Sequence, residues 1–316
     1  RSDWGTRCSI WVTLVDFIVD DVEASRPDCP WYSELHVKWD RLTECRVPLK
    51  LALLERCGCP NGKGGLMSVT QLQSNMSEAE WQTRVDLAAL YRLVHHYGWS
   101  DLFGTHISAR IPDQPDIFLL NPYGFLFEEI TASSLVKVDE DGNELDQSDN
   151  GINPAGFTIH SAVHAAKSDI NFVIHTHTAA GTGVAVQREG ILPLTQHSLV
   201  VIAQTGYHDY EGIATDLDER ERLARDLGDK RILVLRNHGL LSVGATAGEA
   251  FMWMYRAERA CRMQLAHQQS GAEVMEISEE VQRVTIERNI FNNSEKGFRT
   301  IGEVEWPGLI RQMDRV

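Results

Sequence analysis

The chain has 316 residues, 43% hydrophobic and 24% charged, and carries a formal net charge of −15. That composition is ordinary for a soluble globular protein with a sizeable core, while the carboxylate excess repels phosphate backbones and anionic lipid, so neither nucleic acid nor a membrane surface is an expected partner. No apolar run reaches the length of a membrane span, and the stretch Ser9 to Val19 is interrupted by Asp16 and lacks a small-residue cleavage site, so no secretory signal is expected either.

The chain begins at Arg1, and residues 1–75 show no sustained period; they are expected to form an N-terminal extension, with Met67 or Met76 a natural start for the patterned region. Five of the six cysteines (Cys8, Cys29, Cys45, Cys57, Cys59) fall in that stretch without the paired spacing of a zinc cluster. The body holds only Cys261, which points to a reducing, cytoplasmic setting. From Ser77 the pattern is regular. Ser77 caps, Glu80 comes three residues on, and Val85, Leu87, Leu90, Tyr91 and Val94 form a helical apolar face. Strands are expected over Thr105 to Arg110 and Ile117 to Leu120, a helix over Ile159 to Lys167 and a strand over Asn171 to His175. Next come a helix over Thr178 to Gln187, a strand over Arg231 to Leu235 and a long helix over Thr246 to Gln269. Alternating strands and helices predict a layered α/β domain over 76–270, with 271–316 a polar tail or peripheral arm.

His175 and His177 form an H-x-H pair at the end of an apolar strand, where residues two apart share a face. His238 comes after the aliphatic strand Ile232 to Leu235 in Arg236-Asn237-His238-Gly239. Three imidazoles with an open position suit a catalytic divalent metal, zinc first and iron(II) as the alternative, whereas a structural zinc usually takes four ligands with cysteine among them. The competing reading is three polar residues that end strands. His160 and His164, one turn apart on the preceding helix, can face the same cleft, but without a Glu between them in the H-E-x-x-H form the commoner outcome is one buried and one solvated histidine.

The runs Gly156-Phe-Thr-Ile-His160, Val173-Ile-His-Thr-His177 and Leu233-Val-Leu-Arg-Asn-His-Gly239 resemble the class II aldolase/adducin family over about Glu80 to Gln269. Glu129 to Asp139, Gly156 to His164 and Tyr207-His-Asp-Tyr210 look like the adducin branch. The resemblance implies a three-layer α/β/α sandwich around a largely antiparallel sheet, a cyclic homotetramer with sites between subunits, and a metal on His175, His177 and His238 that polarises a substrate carbonyl.

The departures shift the expected chemistry. The family's sugar-phosphate aldolases carry Ser-Ser-Glu where this chain has Pro154, Ala155 and Gly156, so the acid/base carboxyl and the phosphate-binding hydroxyls are missing. Their glycine-asparagine phosphate turn reads Thr105-His106, and the second phosphate turn reads Asn121-Pro122-Tyr123-Gly124. The leading expectation is a metal-dependent lyase acting on a small unphosphorylated carbonyl compound, with His160, His197 or Tyr207 as the replacement base. In the first of these, Gly156 leaves space into which His160 turns. Two alternatives stand beside it: an Fe(II)-dependent oxygenase on the same fold, and a non-catalytic adducin-like module that binds actin or spectrin.

Overall fold

The computed structural model describes residues 76–146, 151–213, 218–294 and 296–313. The N-terminal extension expected over 1–75, with its tryptophans and five cysteines, lies outside the described residues.

Helix α1 (Glu78–His96) starts at the expected cap. Ser77 Oγ accepts the Glu80 amide at 3.0 Å, and Glu78 and Glu80 sit at the positive end of the helix. Leu87, Leu90, Tyr91 and Val94 are fully buried, while Val85, expected on the same face, is exposed.

The described strands form one sheet: β1 (His106–Ile111), β2 (Gln114–Leu120), β3 (Val136–Val138), β4 (Phe172–Thr176), β5 (Thr205–His208), β6 (Ile232–Leu235) and β7 (Gly239–Gly244). Their order is β3-β2-β1-β4-β7-β6-β5, and every pairing is antiparallel except β5 with β6. The helices between and after them are α2 (Pro154–Ala166), α3 (Ala179–Ala185), α4 (Gln196–Ile202), α5 (Glu219–Leu227), α6 (Ala247–Ser270), α7 (Glu279–Asn292) and α8 (Glu305–Met313).

Strand alternation sends side chains to the two faces of the sheet. Ile107, Ile174, Val234 and Leu240 pack with Tyr91 of α1 and with Phe251 and Met254 of α6. Val173, Leu233, Leu241 and Val243 pack with Ile159 and Val163 of α2 and with Leu223 and Leu227 of α5. The result is a three-layer α/β/α sandwich, each buried Leu or Ile contributing about 1.5–3 kcal/mol of transfer free energy. The same alternation places His106, Ser108 and His175 on the α2 side, because Ile107 and Ile174 point the other way.

The segment after Gly271 differs from a bare tail. It forms α7 and α8 and returns to the domain through apolar and polar contacts: Ile301 is buried in the core, Trp306, Leu309 and Met313 pack against it, Asn289 donates to Val200 O at 3.2 Å, and Trp306 Nε1 donates to Asp86 at 3.3 Å. A β-carbon on Gly248 would meet Gly302 O at 2.6 Å, so the two glycines let backbones touch. α7 buries no residue, whereas α8 turns a short apolar face toward the core. No helix among the described residues is long and apolar enough to cross a membrane.

Candidate metal centre

His175 lies near the end of β4, His177 stands just beyond it, and His238 sits in the tight turn joining β6 to β7. One ring nitrogen from each lies within 4.8 Å of the other two. The turn is built for this approach. Asn237 adopts φ +57, the left-handed conformation that asparagine tolerates better than most residues. A β-carbon on Gly239 would meet Thr176 O at 2.4 Å, so only glycine lets the turn close against the end of β4. Thr182 of α3 then donates to His238 O at 3.1 Å. Thr178, which caps α3 by accepting the Gly181 amide, donates its hydroxyl to buried Glu258.

Hydrogen-bond direction fixes the tautomers of the H-x-H pair. His175 Nδ1 is 3.0 Å from Leu240 O, and His177 Nδ1 is 2.9 Å from Asp101 Oδ2. A carbonyl and a carboxylate only accept, so both Nδ1 atoms carry hydrogen and, with both rings neutral, both Nε2 atoms present lone pairs. Those Nε2 atoms face each other at 2.9 Å. Two lone pairs at that separation repel unless a proton or a metal cation lies between them. Burial, then the neighbouring imidazoles, hold the His175 pKa well below its usual range, and burial, then His177, brings His238 down to about 4. His175 and His238 are therefore poor at holding protons. As a set of neutral nitrogen donors the cluster fits a divalent ion.

These rings open into a cleft of about 700 Å³. His106, Asn153, Thr182, Tyr210 and Asn237 line it with polar groups, and among the described residues no lysine or arginine does.

The three expected replacement bases stand elsewhere. His160 does not turn into the cleft. It is 1% exposed, bonded through Nε2 to His106 Nδ1 at 2.7 Å and through Nδ1 to Ser108 Oγ at 2.5 Å. The space beside Gly156 is already occupied by His106, because a β-carbon at 156 would lie 2.5 Å from His106 Cδ2. His164 also stays inside, between Ser108 Oγ at 2.8 Å and Ile170 O at 3.2 Å. His197 is exposed near the start of α4, its pKa lowered by partial burial and by Arg259 and Arg256 of α6. Tyr207 accepts the Ile191 amide at 3.0 Å and lies under the Arg236 guanidinium, 4.7 Å from its ring centre, with burial raising its pKa. Neither His197 nor Tyr207 lines the cleft.

His106 is the cleft residue that sequence reasoning passes over. It pairs across the sheet with His175, with ring centres 5.1 Å apart. Burial, then His177 and His238, lowers its pKa to about 3. A signal for it is present in the sequence as two separate departures, histidine in the turn at 105–106 and glycine at 156. Only the fold shows that they meet.

The comparisons with known proteins agree with this architecture. The family described as Class II Aldolase and Adducin N-terminal domain matches residues 85–265. A Caulobacter vibrioides protein, named as a presumed aldolase class 2 protein, is 53% identical over 251 residues, covering 79% of this chain and 96% of its own. Rattus norvegicus alpha-adducin is 43% identical over 185 residues, covering 58% of this chain and 25% of the adducin. Among solved structures, an aldolase II superfamily protein from Pseudomonas syringae superposes with a TM-score of 0.72 at 44% identity, covering 77% of this chain and 96% of that one. L-fuculose 1-phosphate aldolase from Glaciozyma antarctica shares the fold, with a TM-score of 0.64 at 24% identity over 79% of this chain and 93% of that one.

Proposed function

The chain belongs to the class II aldolase and adducin family, and from that premise we propose that it is a divalent-metal-dependent enzyme acting on a small unphosphorylated carbonyl compound by carbon–carbon lyase chemistry. The observation that supports this most is the 2.9 Å approach of the bare His175 and His177 Nε2 atoms with His238 alongside. A structural role for three histidines does not require their lone pairs to converge, and the repulsion is relieved by an ion.

His175, His177 and His238 would hold that ion, which when bound supplies Lewis acidity to polarise a carbonyl oxygen. The chain's own residues do the rest. Leu240 O and Asp101 Oδ2 keep both Nδ1–H groups turned away from the ion, so the ligand nitrogens stay free. Asn237 and Tyr210 provide neutral hydrogen-bonding groups for substrate oxygens, and Ile159 and Val186 add apolar lining. A phosphate entering this cleft meets no guanidinium or ammonium among the described residues, which supports an unphosphorylated substrate.

Imidazole ligands suit zinc and iron(II) alike, so an Fe(II) oxygenase on the same three histidines is the second enzymatic reading. A protein-binding role resembling the adducins draws support from the 43% identity to rat alpha-adducin, of which this chain spans a quarter. We rank it below the enzyme because it leaves the converging donors and the cleft without a use. A cytoplasmic homotetramer completes the proposal, supported by Cys261 being a free buried thiol and by α7, which buries nothing within the chain.

Elemental analysis of anaerobically purified protein tests the reading. One zinc or iron per chain, lost in His175→Ala and His238→Ala, is the expected result. Failure of the metal-free protein to bind either ion in titration would overturn it.

A further inference from the structure

Behind the cleft lies a row of buried polar side chains, His106, His160, Ser108 and His164, that the metal reading does not use. Each is 3% exposed or less. The row ends on a backbone carbonyl, and that end decides its direction. Ile170 O only accepts, so His164 Nδ1, at 3.2 Å, carries hydrogen and His164 Nε2 is bare. Ser108 therefore gives its single hydrogen to His164 Nε2 at 2.8 Å and accepts from His160 Nδ1 at 2.5 Å. His160 Nε2 is then bare and accepts from His106 Nδ1 at 2.7 Å. The opposite direction needs either a lone pair against the Ile170 carbonyl or a charged His164. Burial and the nearby Arg110 guanidinium oppose that charge and bring the His164 pKa down to about 3.

The outcome at the cleft end is a single tautomer of His106, with Nδ1–H committed inward and Nε2 bare. No hydrogen-bond partner for that Nε2 exists among the described residues, although the ring lines the cleft beside His175. The ring also fills the space that a side chain at position 156 would take.

We propose that His160, Ser108 and His164 are positioning residues that hold His106 in its Nδ1–H tautomer, and that His106 Nε2 is the proton acceptor of the cleft. The proposal rests on the carbonyl-compound reading and names the base for it. In the step, the bond between the carbon next to the carbonyl and its hydrogen breaks. Its electron pair moves toward the carbonyl oxygen to form an enolate, and the proton goes to His106 Nε2. The imidazolium so formed keeps its Nδ1–H on His160, and the negative charge developing on the substrate favours it.

The test has two parts. In metal-free protein labelled with 15N-histidine, long-range proton–nitrogen correlation near pH 7.5 reads tautomers directly. His106, His160 and His164 are all expected as Nδ1–H, with Ser108→Ala turning His106 into a tautomer mixture and Ser108→Thr restoring one form. His106 as Nε2–H in the unaltered protein would overturn the proposal. In the zinc-loaded protein, exchange of the carbon-bound hydrogens of hydroxyacetone in D2O is followed by NMR. His106→Gln is expected to lower that exchange on the order of 10²–10⁴-fold with zinc content unchanged, and unaltered exchange would also overturn it. If the unsubstituted protein itself exchanges nothing, the carbonyl reading fails, and the tautomers alone decide whether the positioning row exists.

Discussion

A β-carbon on residue 156 would sit 2.5 Å from His106 Cδ2 and 2.8 Å from its Nε2, so Gly156 and the His106 ring occupy one shared volume. The absence of a side chain at 156 is what allows an imidazole at 106. Two departures that look independent along the chain are sterically coupled in the fold.

That coupling has a stability signature. Gly156 lies near the start of α2, where alanine would otherwise be favoured over glycine by up to about 1 kcal/mol. With His106 present, Gly156→Ala is overpacked and is expected to cost about 1–3 kcal/mol. With His106→Ala in place, the same change is expected to be neutral or stabilising. Urea unfolding of the four proteins in the double-mutant cycle checks this, and equal effects in both backgrounds would remove the coupling.

Asp101 Oδ2 accepts the His177 Nδ1–H at 2.9 Å, on the side of the ring away from the other two ligands. Asp101→Asn keeps an oxygen acceptor but removes the negative charge that makes the imidazole a better donor to an ion. Zinc affinity, measured by competition with a chromophoric chelator, is expected to fall roughly 10–100-fold with the fold intact. An unchanged affinity would mean that the contact is incidental, as its partly exposed setting permits.

The layered α/β architecture is legible in the sequence because fully buried aliphatic strands such as Ile232–Leu235 and the capped helix at Ser77 carry their own local signals. The convergence of His175, His177 and His238 is legible for the same reason, since each stands at or just beyond the end of such a strand. His106 is not. Its importance depends on the cross-strand register with His175 and on the face of β1 that meets α2, and neither is a property of nearby residues. His160 is misread as a cleft residue on helical spacing alone, because spacing says which side of α2 it shares but not that His106 fills the gap in front of it. Strand β7 hides between two glycines, and α7 buries no residue and so has no apolar face to read, while the short apolar face of α8, Trp306, Leu309 and Met313, is passed over in a segment read as polar.

Asn237 precedes His238 with φ +57, and its replacement should expose what that conformation is worth. Asn237→Gly is expected to leave thermal stability within about 0.5 kcal/mol, whereas Asn237→Val, which resists the left-handed region, should cost about 1–2 kcal/mol. The same valine should lower zinc affinity by displacing the His238 ring. Calorimetry with and without zinc separates the two effects, and a valine variant that binds zinc normally would show that the turn does not set the His238 position.

Acid should act on the buried histidines behind the cleft. His164 has its pKa brought down to about 3, by burial first and the Arg110 guanidinium second, while an unfolded histidine titrates near 6.5. Between those values the unfolded chain binds the proton and the folded one does not, so unfolding takes up a proton and stability rises with pH across that window. The contribution is therefore complete above about pH 6.5 and is lost progressively as pH falls toward 3, at up to about 1.4 kcal/mol per pH unit for one such group. His106, with its pKa also near 3, and His160, lowered well below its usual range by burial, add to the same slope. His164→Phe keeps an aromatic ring against Phe118, whose centre lies 4.7 Å from the imidazole, and removes one titrating group. The variant should start less stable at pH 7.5, because Ser108 loses its acceptor, and should then lose less on acidification. Urea midpoints at pH 7.5, 6.5, 5.5 and 4.5, taken with chelator so that ligand protonation of a bound ion does not intrude, should give converging curves. Parallel curves would show that the neutral buried His164 is not a source of acid sensitivity.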